Sequence, residues 1–129
     1  MVDLPQRSGA LLVDRSDRGK LTFIGEQALW FCDQLLTNQV VNLAPGQGAE
    51  ALLLSPHGRI LAALRLAHPV AGEVVADIEP PATRAAELAS FFEGRIFATR
   101  VRVADVSEAF GLITLIGPAA DAIAGAALD

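Results

Sequence analysis

The segment Gly19-Lys-Leu-Thr-Phe-Ile-Gly25 returns near the end of the chain as Gly111-Leu-Ile-Thr-Leu-Ile-Gly117. Four of the seven positions are identical, Leu21/Ile113 and Phe23/Leu115 are apolar exchanges, and only Lys20/Leu112 changes in kind. The match runs back to Asp14-Arg-Ser16 against Asp105-Val-Ser107, with one extra residue in the second copy. It runs forward into two helix-like stretches, Glu26 to Asn38 and Pro118 to Leu128. Repetition constrains an architecture more than any local signal, because one supersecondary unit has to serve twice. Here that unit is a strand bounded by two glycines and followed by a helix. The first copy continues into further strands before the pattern restarts, whereas the second reaches Asp129 without them. The chain therefore reads as a first subdomain, 14–94, and the opening of a second, 95–129.

A length of 129 residues falls in the single-domain range, and 52% hydrophobic residues are enough for a packed core. No apolar run approaches the ~20 residues that cross a bilayer. Met1 to Gly9 is polar and lacks the apolar centre of a secretion signal. Cys32, alone of its kind, has no internal disulfide partner, so a reducing cytoplasmic setting is expected. With a net charge of −5 the surface as a whole repels phosphate backbones, and no direct nucleic-acid contact is expected. Arg95, Arg100 and Arg102 are one example of a local basic patch, and they read as the solvent face of an amphipathic strand. Without tyrosine, little suggests a base-stacking platform.

Along the chain, Ala10 to Asp14 and Leu21 to Ile24 read as strands around a charged turn, Arg15 to Gly19. Gly25 reads as an N-cap and Glu26 as a first-turn acid of a helix running to Thr37, with Leu29, Cys32 and Leu36 at helical spacing. Asn42 to Gly48 is a loop by composition. Ala49 to Leu54 and Arg59 to Ala67 flank Ser55-Pro-His-Gly58, whose Pro and Gly fit a type I turn, and the pair is a hairpin. Glu73 to Ile78 adds a strand. Pro80-Pro81 opens a helix to Glu93 that Gly94 stops. Ile96 to Val103 and Phe110 to Ile116 supply two more strands, and an Ala-rich helix follows. Hairpins dominate this order, which predicts an α+β fold with a mainly antiparallel sheet.

No catalytic set assembles from spacing alone. His57 and His68 have no Cys or carboxylate at ligand distance, and His57 in a tight turn reads as solvated. Cys32 reads as a small buried hydrophobe with nothing cationic nearby in sequence to activate it. Gly46-Gln-Gly48 lacks the third glycine of a dinucleotide fingerprint. Ser55 lacks a nucleophile elbow. The post-helix segment Leu36-Thr-Asn-Gln39 offers a hydroxyl and two amides beside apolar residues, as a heteroaromatic ligand needs. Arg59 and Arg65 on the hairpin suit a carboxylate. On residue chemistry alone the plainer reading is preferred, with Thr37 and Asn38 capping the helix and the arginines in solvent.

Asp14-Arg-Ser-Asp-Arg-Gly-Lys-Leu-Thr-Phe-Ile-Gly25, followed by Phe31-Cys-Asp-Gln-Leu-Leu-Thr-Asn-Gln-Val40, resembles the start of the YgfZ/GcvT folate-binding family. Ala44-Pro-Gly-Gln-Gly48 leading to Leu52-Leu-Leu-Ser-Pro-His-Gly-Arg-Ile-Leu61 extends the resemblance, which covers nearly the whole chain. The family includes the glycine-cleavage T-protein and YgfZ-type proteins linked to iron–sulfur cluster maintenance and tRNA modification. The resemblance implies a duplicated β2-α-β3-α fold whose two subdomains exchange their first strands. It also implies tetrahydrofolate as ligand, with Thr37, Asn38, Arg59 and Arg65 bordering its cavity. T-protein-like members carry acidic residues where Ala62 and Ala63 stand, and often an aromatic where Glu50 stands. A methyl group takes no proton, so aminomethyl transfer is not expected. The Lys-Gly-Cys-Tyr-x-Gly-Gln-Glu signature of YgfZ-type members does not occur in these residues.

The expected function is thus a non-catalytic, folate-binding, YgfZ-like module with iron–sulfur proteins as possible partners. An aminomethyltransferase fragment and an interaction domain without folate are the alternatives. Exchanged strands leave sheet edges open, which predicts a homodimer.

Overall fold

The computed structural model describes residues 11–128. The elements run β1 (Leu11–Asp14), β2 (Gly19–Ile24), α1 (Ala28–Leu35), β3 (Gln47–Leu54), β4 (Ile60–His68), β5 (Glu73–Ile78), α2 (Arg84–Glu93), β6 (Arg102–Asp105), β7 (Ile113–Ile116) and α3 (Ala120–Leu128). All strand pairs are antiparallel, and the fold is α+β as the hairpin-rich order predicted. Ala10 and the polar stretch Met1 to Gly9 lie outside the described residues. Among those described, no helix is long and apolar enough to cross a membrane.

Two compact units form. One joins the stretches up to Ser16 and from Gly111, and the other spans Asp17–Phe110. The larger holds a five-stranded sheet ordered β3-β4-β5-β2-β6. In an antiparallel pair, directly opposed residues share a face, so register alone sorts the sheet. Leu21 faces Ala76, Phe23 faces Val74 and Val103, Leu64 faces Ile78, and Leu53 faces Ala62. All nine are buried. This apolar side packs against Phe31 and Cys32 of α1 and against Ala85, Leu88, Ala89 and Phe92 of α2. Phe23 and Phe92 meet edge to face at 5.1 Å, with Phe31 a third ring about them.

The smaller unit pairs β1 with β7, in the register Asp14↔Ile113. In the larger unit β6 pairs with β2, in the register Leu21↔Asp105. These are the same two repeat positions with the copies interchanged: the first strand of each copy lies beside the second strand of the other. The turn chemistry repeats as well. Ser16 N–H donates to Asp14 at 2.9 Å and Ser107 N–H to Asp105 at 3.0 Å. Leu112 N–H donates to the Ser16 hydroxyl, and Lys20 N–H to that of Ser107. Gly25 and Gly117 both adopt positive φ, +148° and +132°.

Element ends differ from expectation for identifiable reasons. Gly25 is not the N-cap. Gln27 holds that position, since its N–H donates to Arg100 O and its side chain accepts from Arg100 N–H. Glu26 lies before the helix, where it pairs with Arg100 instead of serving the dipole. At the other end α1 stops at Leu35, because Leu36 bridges to Leu53 as an extended residue. Gln47 and Gly48 belong to β3 rather than to the preceding loop. Pro80-Pro81 is a cis bond before the helix, which begins at Arg84. Residues 95–101 form a loop, with Ala98 at φ +57°, and only Arg102 of the three clustered arginines lies on a strand. Arg95 instead stacks over Phe91 at 3.5 Å.

Candidate functional site

The sheet of the larger unit has a second face, turned away from the two helices, where charged side chains stand among apolar ones. Alternation places Glu50, Leu52, Ala63, Arg65 and Asp77 there, one residue out of step with the core positions. A cavity of about 480 Å³ opens on this side, lined by Arg18, Thr37, Asn38, Glu50, Leu52, Ala63, Arg65 and Glu79 among others. Its size falls in the usual range for small-molecule sites.

One wall comes from the segment after α1. Thr37 N–H donates to Leu52 O at 3.0 Å, and Leu52 N–H donates back to the Thr37 hydroxyl oxygen at 2.9 Å. Asn38 Nδ2 donates to Glu50 O at 2.9 Å. These bonds continue the sheet beyond the β3 edge and account for backbone groups that an edge strand otherwise leaves open. Neither side chain caps α1, so the plainer sequence reading of these two residues does not hold. The Thr37 hydroxyl hydrogen and the Asn38 carbonyl oxygen remain for a ligand.

The opposite wall comes from the hairpin. Arg65 and Ala63 lie on β4 and reach the cavity, whereas Ala62 points into the core and is 1% exposed. The two alanines are therefore not equivalent, since only Ala63 stands where a side chain could act on a ligand. Arg59 is not part of the cavity lining. It is exposed at the end of the turn, where its N–H donates to Ser55 Oγ at 3.1 Å. Thr37, Asn38 and Arg65 are thus brought together, and Arg59 is not.

Sequence reasoning missed Arg18 and Glu79 as wall residues. Arg18 bonds Asp77 through Nε, both side chains being largely buried, and Glu79 is held by Arg84 at 3.3 Å. No local motif marks either residue. Their place becomes visible only when β5 is set beside β2 and β4. Elsewhere His57 is exposed, and His68 is buried with Nδ1 against Leu43 O at 2.8 Å. Burial, with Asp33 alongside, pushes the Cys32 thiol up to about 12, which makes it inert as a nucleophile. Among the described residues no cluster could hold a metal ion.

Comparison with known proteins agrees with this fold. The sequence matches the family described as the GCVT N-terminal domain over residues 5–129. The crystal structure of glycine cleavage system aminomethyltransferase T from Bartonella henselae is similar at a TM-score of 0.77 and 26% identity. The match covers 96% of this chain and 33% of that one, so this chain spans about a third of that protein's length. No curated protein matches the sequence.

Proposed function

This chain belongs to the GCVT N-terminal domain family, and from that premise we propose that it binds tetrahydrofolate as an accessory, YgfZ-like module. The observation that carries the reading is the wall of the cavity. Thr37 and Asn38 supply polar groups for a heterocycle, Leu52 an apolar surface, and Arg65 a cation for a carboxylate. The residues present fit such a ligand. Bound there, a reduced folate would supply one-carbon chemistry, and the chain's own residues bind and orient it.

Catalysis of aminomethyl transfer is argued against by Ala63. It occupies the β4 position that faces the cavity, and its methyl group neither takes nor holds a proton. The solved aminomethyltransferase keeps the enzyme-fragment reading in view as the alternative. By the same YgfZ resemblance, the cellular role we propose lies in iron–sulfur cluster maintenance or tRNA modification, in the cytoplasm.

Calorimetric titration with tetrahydrofolate tests the binding. We expect saturable binding that weakens about tenfold or more in Arg65→Ala, the loss of one charge-assisted contact. No heat of binding would leave the fold without this ligand. Formation of methylene-tetrahydrofolate from an aminomethylated donor would restore the enzyme reading.

A further inference from the structure

The second face of the sheet carries a row of charges that crosses four strands. Glu50 on β3 is directly opposite Arg65 on β4, Arg65 is opposite Asp77 on β5, and Asp77 is opposite Lys20 on β2. Signs alternate along the row. Exposure falls along it too: the Glu50 side chain is 82% exposed and that of Arg65 46%, whereas Asp77 and Lys20 are buried.

The inner end of the row is satisfied. Asp77 accepts from Arg18 Nε and lies opposite Lys20, whose Nζ donates to Ser107 O at 3.3 Å. Arg84 holds Glu79 and also donates to Leu61 O. Of the cavity's four charged side chains, Arg18 and Glu79 are therefore engaged, which leaves Arg65 and Glu50. Arg65 Nε is 3.9 Å from Glu50 Oε1, an ion pair beyond hydrogen-bond reach. Among the described residues, the Arg65 guanidinium makes no hydrogen bond. Glu50 is fixed by its backbone, through Asn38 on its carbonyl and the β4 register, while its carboxylate stays in solvent.

We infer that Glu50 is a specificity-determining residue, a built-in competitor for Arg65 that a ligand's carboxylate must displace. This deepens the folate reading and rests on it for the natural ligand. Glu50 offers Arg65 a loose, solvated counter-charge, and a ligand carboxylate gains by forming the two parallel N–H···O bonds that the guanidinium fork permits. A neutral group gains nothing at Arg65, because it leaves the existing pair intact. Glu50 thus lowers affinity for every anion and leaves only those that bind in fork geometry, anchored elsewhere in the cavity.

The test uses glutarate, a bare dicarboxylate, with its neutral diamide as control. The 129-residue chain, Glu50→Gln, Arg65→Gln and the double variant are each followed by NMR titration. Glu50→Gln should bind glutarate tighter by a factor on the order of two to five, the range for an exposed ion pair. The gain should shrink in high salt and be absent in the Arg65→Gln background. The diamide should bind Glu50→Gln and the parent chain alike. Equal glutarate affinity in the two chains, a gain that persists without Arg65, or no binding by Glu50→Gln overturns the inference. Tetrahydrofolate titrated in parallel keeps the readings apart: its failure to bind refutes the folate proposal, and the glutarate series still decides the role of Glu50.

Discussion

Gly25→Ala should destabilise the larger unit by about 2–6 kcal/mol, the sum of two separable costs. The backbone there has φ +148°, and a Cβ would stand 2.1 Å from Arg100 O and 2.9 Å from Val101 Cα. Holding an L-residue in such a conformation costs about 1–3 kcal/mol. The clash is with backbone, which no rotamer change relieves, so the 100–101 segment must retreat by more than about 1 Å to reach ordinary contact distance. That retreat breaks the 3.2 Å bond from Gln27 N–H to Arg100 O and the 2.8 Å bond from Arg100 N–H to Gln27 Oε1. Two such bonds contribute about 1–3 kcal/mol together. Gly46→Ala is the control, since φ is +92° and nothing lies within 4 Å of its Cβ. It should show the backbone cost alone. Urea denaturation followed by far-ultraviolet circular dichroism and by Trp30 fluorescence measures both variants. If Gly25→Ala costs no more than Gly46→Ala, the close approach to Arg100 is not what the glycine is for.

Stability should fall as pH rises from about 9 towards 12, because the Cys32 thiol ionises at 9.0 unfolded and only at about 12 folded. The unfolded state alone releases the proton in that window, at a slope of about 1.4 kcal/mol per pH unit, and Cys32→Ala should flatten it. Ala98→Gly should stabilise the chain by about 0.5–1 kcal/mol, as relief of the +57° backbone outweighs added chain entropy, and a lower melting temperature would refute this. Self-association is expected through the β1–β7 ribbon, where Leu12 and Ile113 are 62% and 60% exposed. A monomer at high concentration by sedimentation would count against it.

The duplication was legible because it repeats more than a strand, whereas the exchange of first strands came from the family resemblance. Gly-x-x-Thr-x-Ile-Gly carries the strand that pairs and the glycine that turns into the helix, and Asp-x-Ser carries the turn that enters it. Once both occur twice, the pairing of Asp14 with Ile113 and of Asp105 with Leu21 uses the same chemistry in both units. The ends of elements were not legible, since tertiary partners decide them. Leu36 continues the helical spacing of α1, but Leu53 and Leu52 of β3 draw it and Thr37 into the sheet. Helix propensity differs by a few tenths of a kcal/mol among such residues, less than two sheet bonds contribute. Arg100 likewise takes the residues before α1 for its own partners.

The candidate site divides along the same line. Thr37, Asn38 and Arg65 could be named from chemistry and resemblance, because each lies in a contiguous segment with a recognisable pattern. Arg59 shares that pattern and still falls outside the cavity. It belongs to the turn, whose last bond runs from Ser55 N–H to Arg59 O, and β4 begins one residue later. The roles of Arg18, Glu50 and Asp77 follow only from register, because a slip of one residue in β5 would turn Asp77 towards the core and leave Arg18 without its carboxylate. The alternating row of charges is thus a consequence of the same cross-strand alignment that buries Leu21 against Ala76. The core fixes the register, and the register decides which of the cavity's cations is left for a ligand. Moving the hydrophobic face by one position would therefore abolish the site even with every site residue retained.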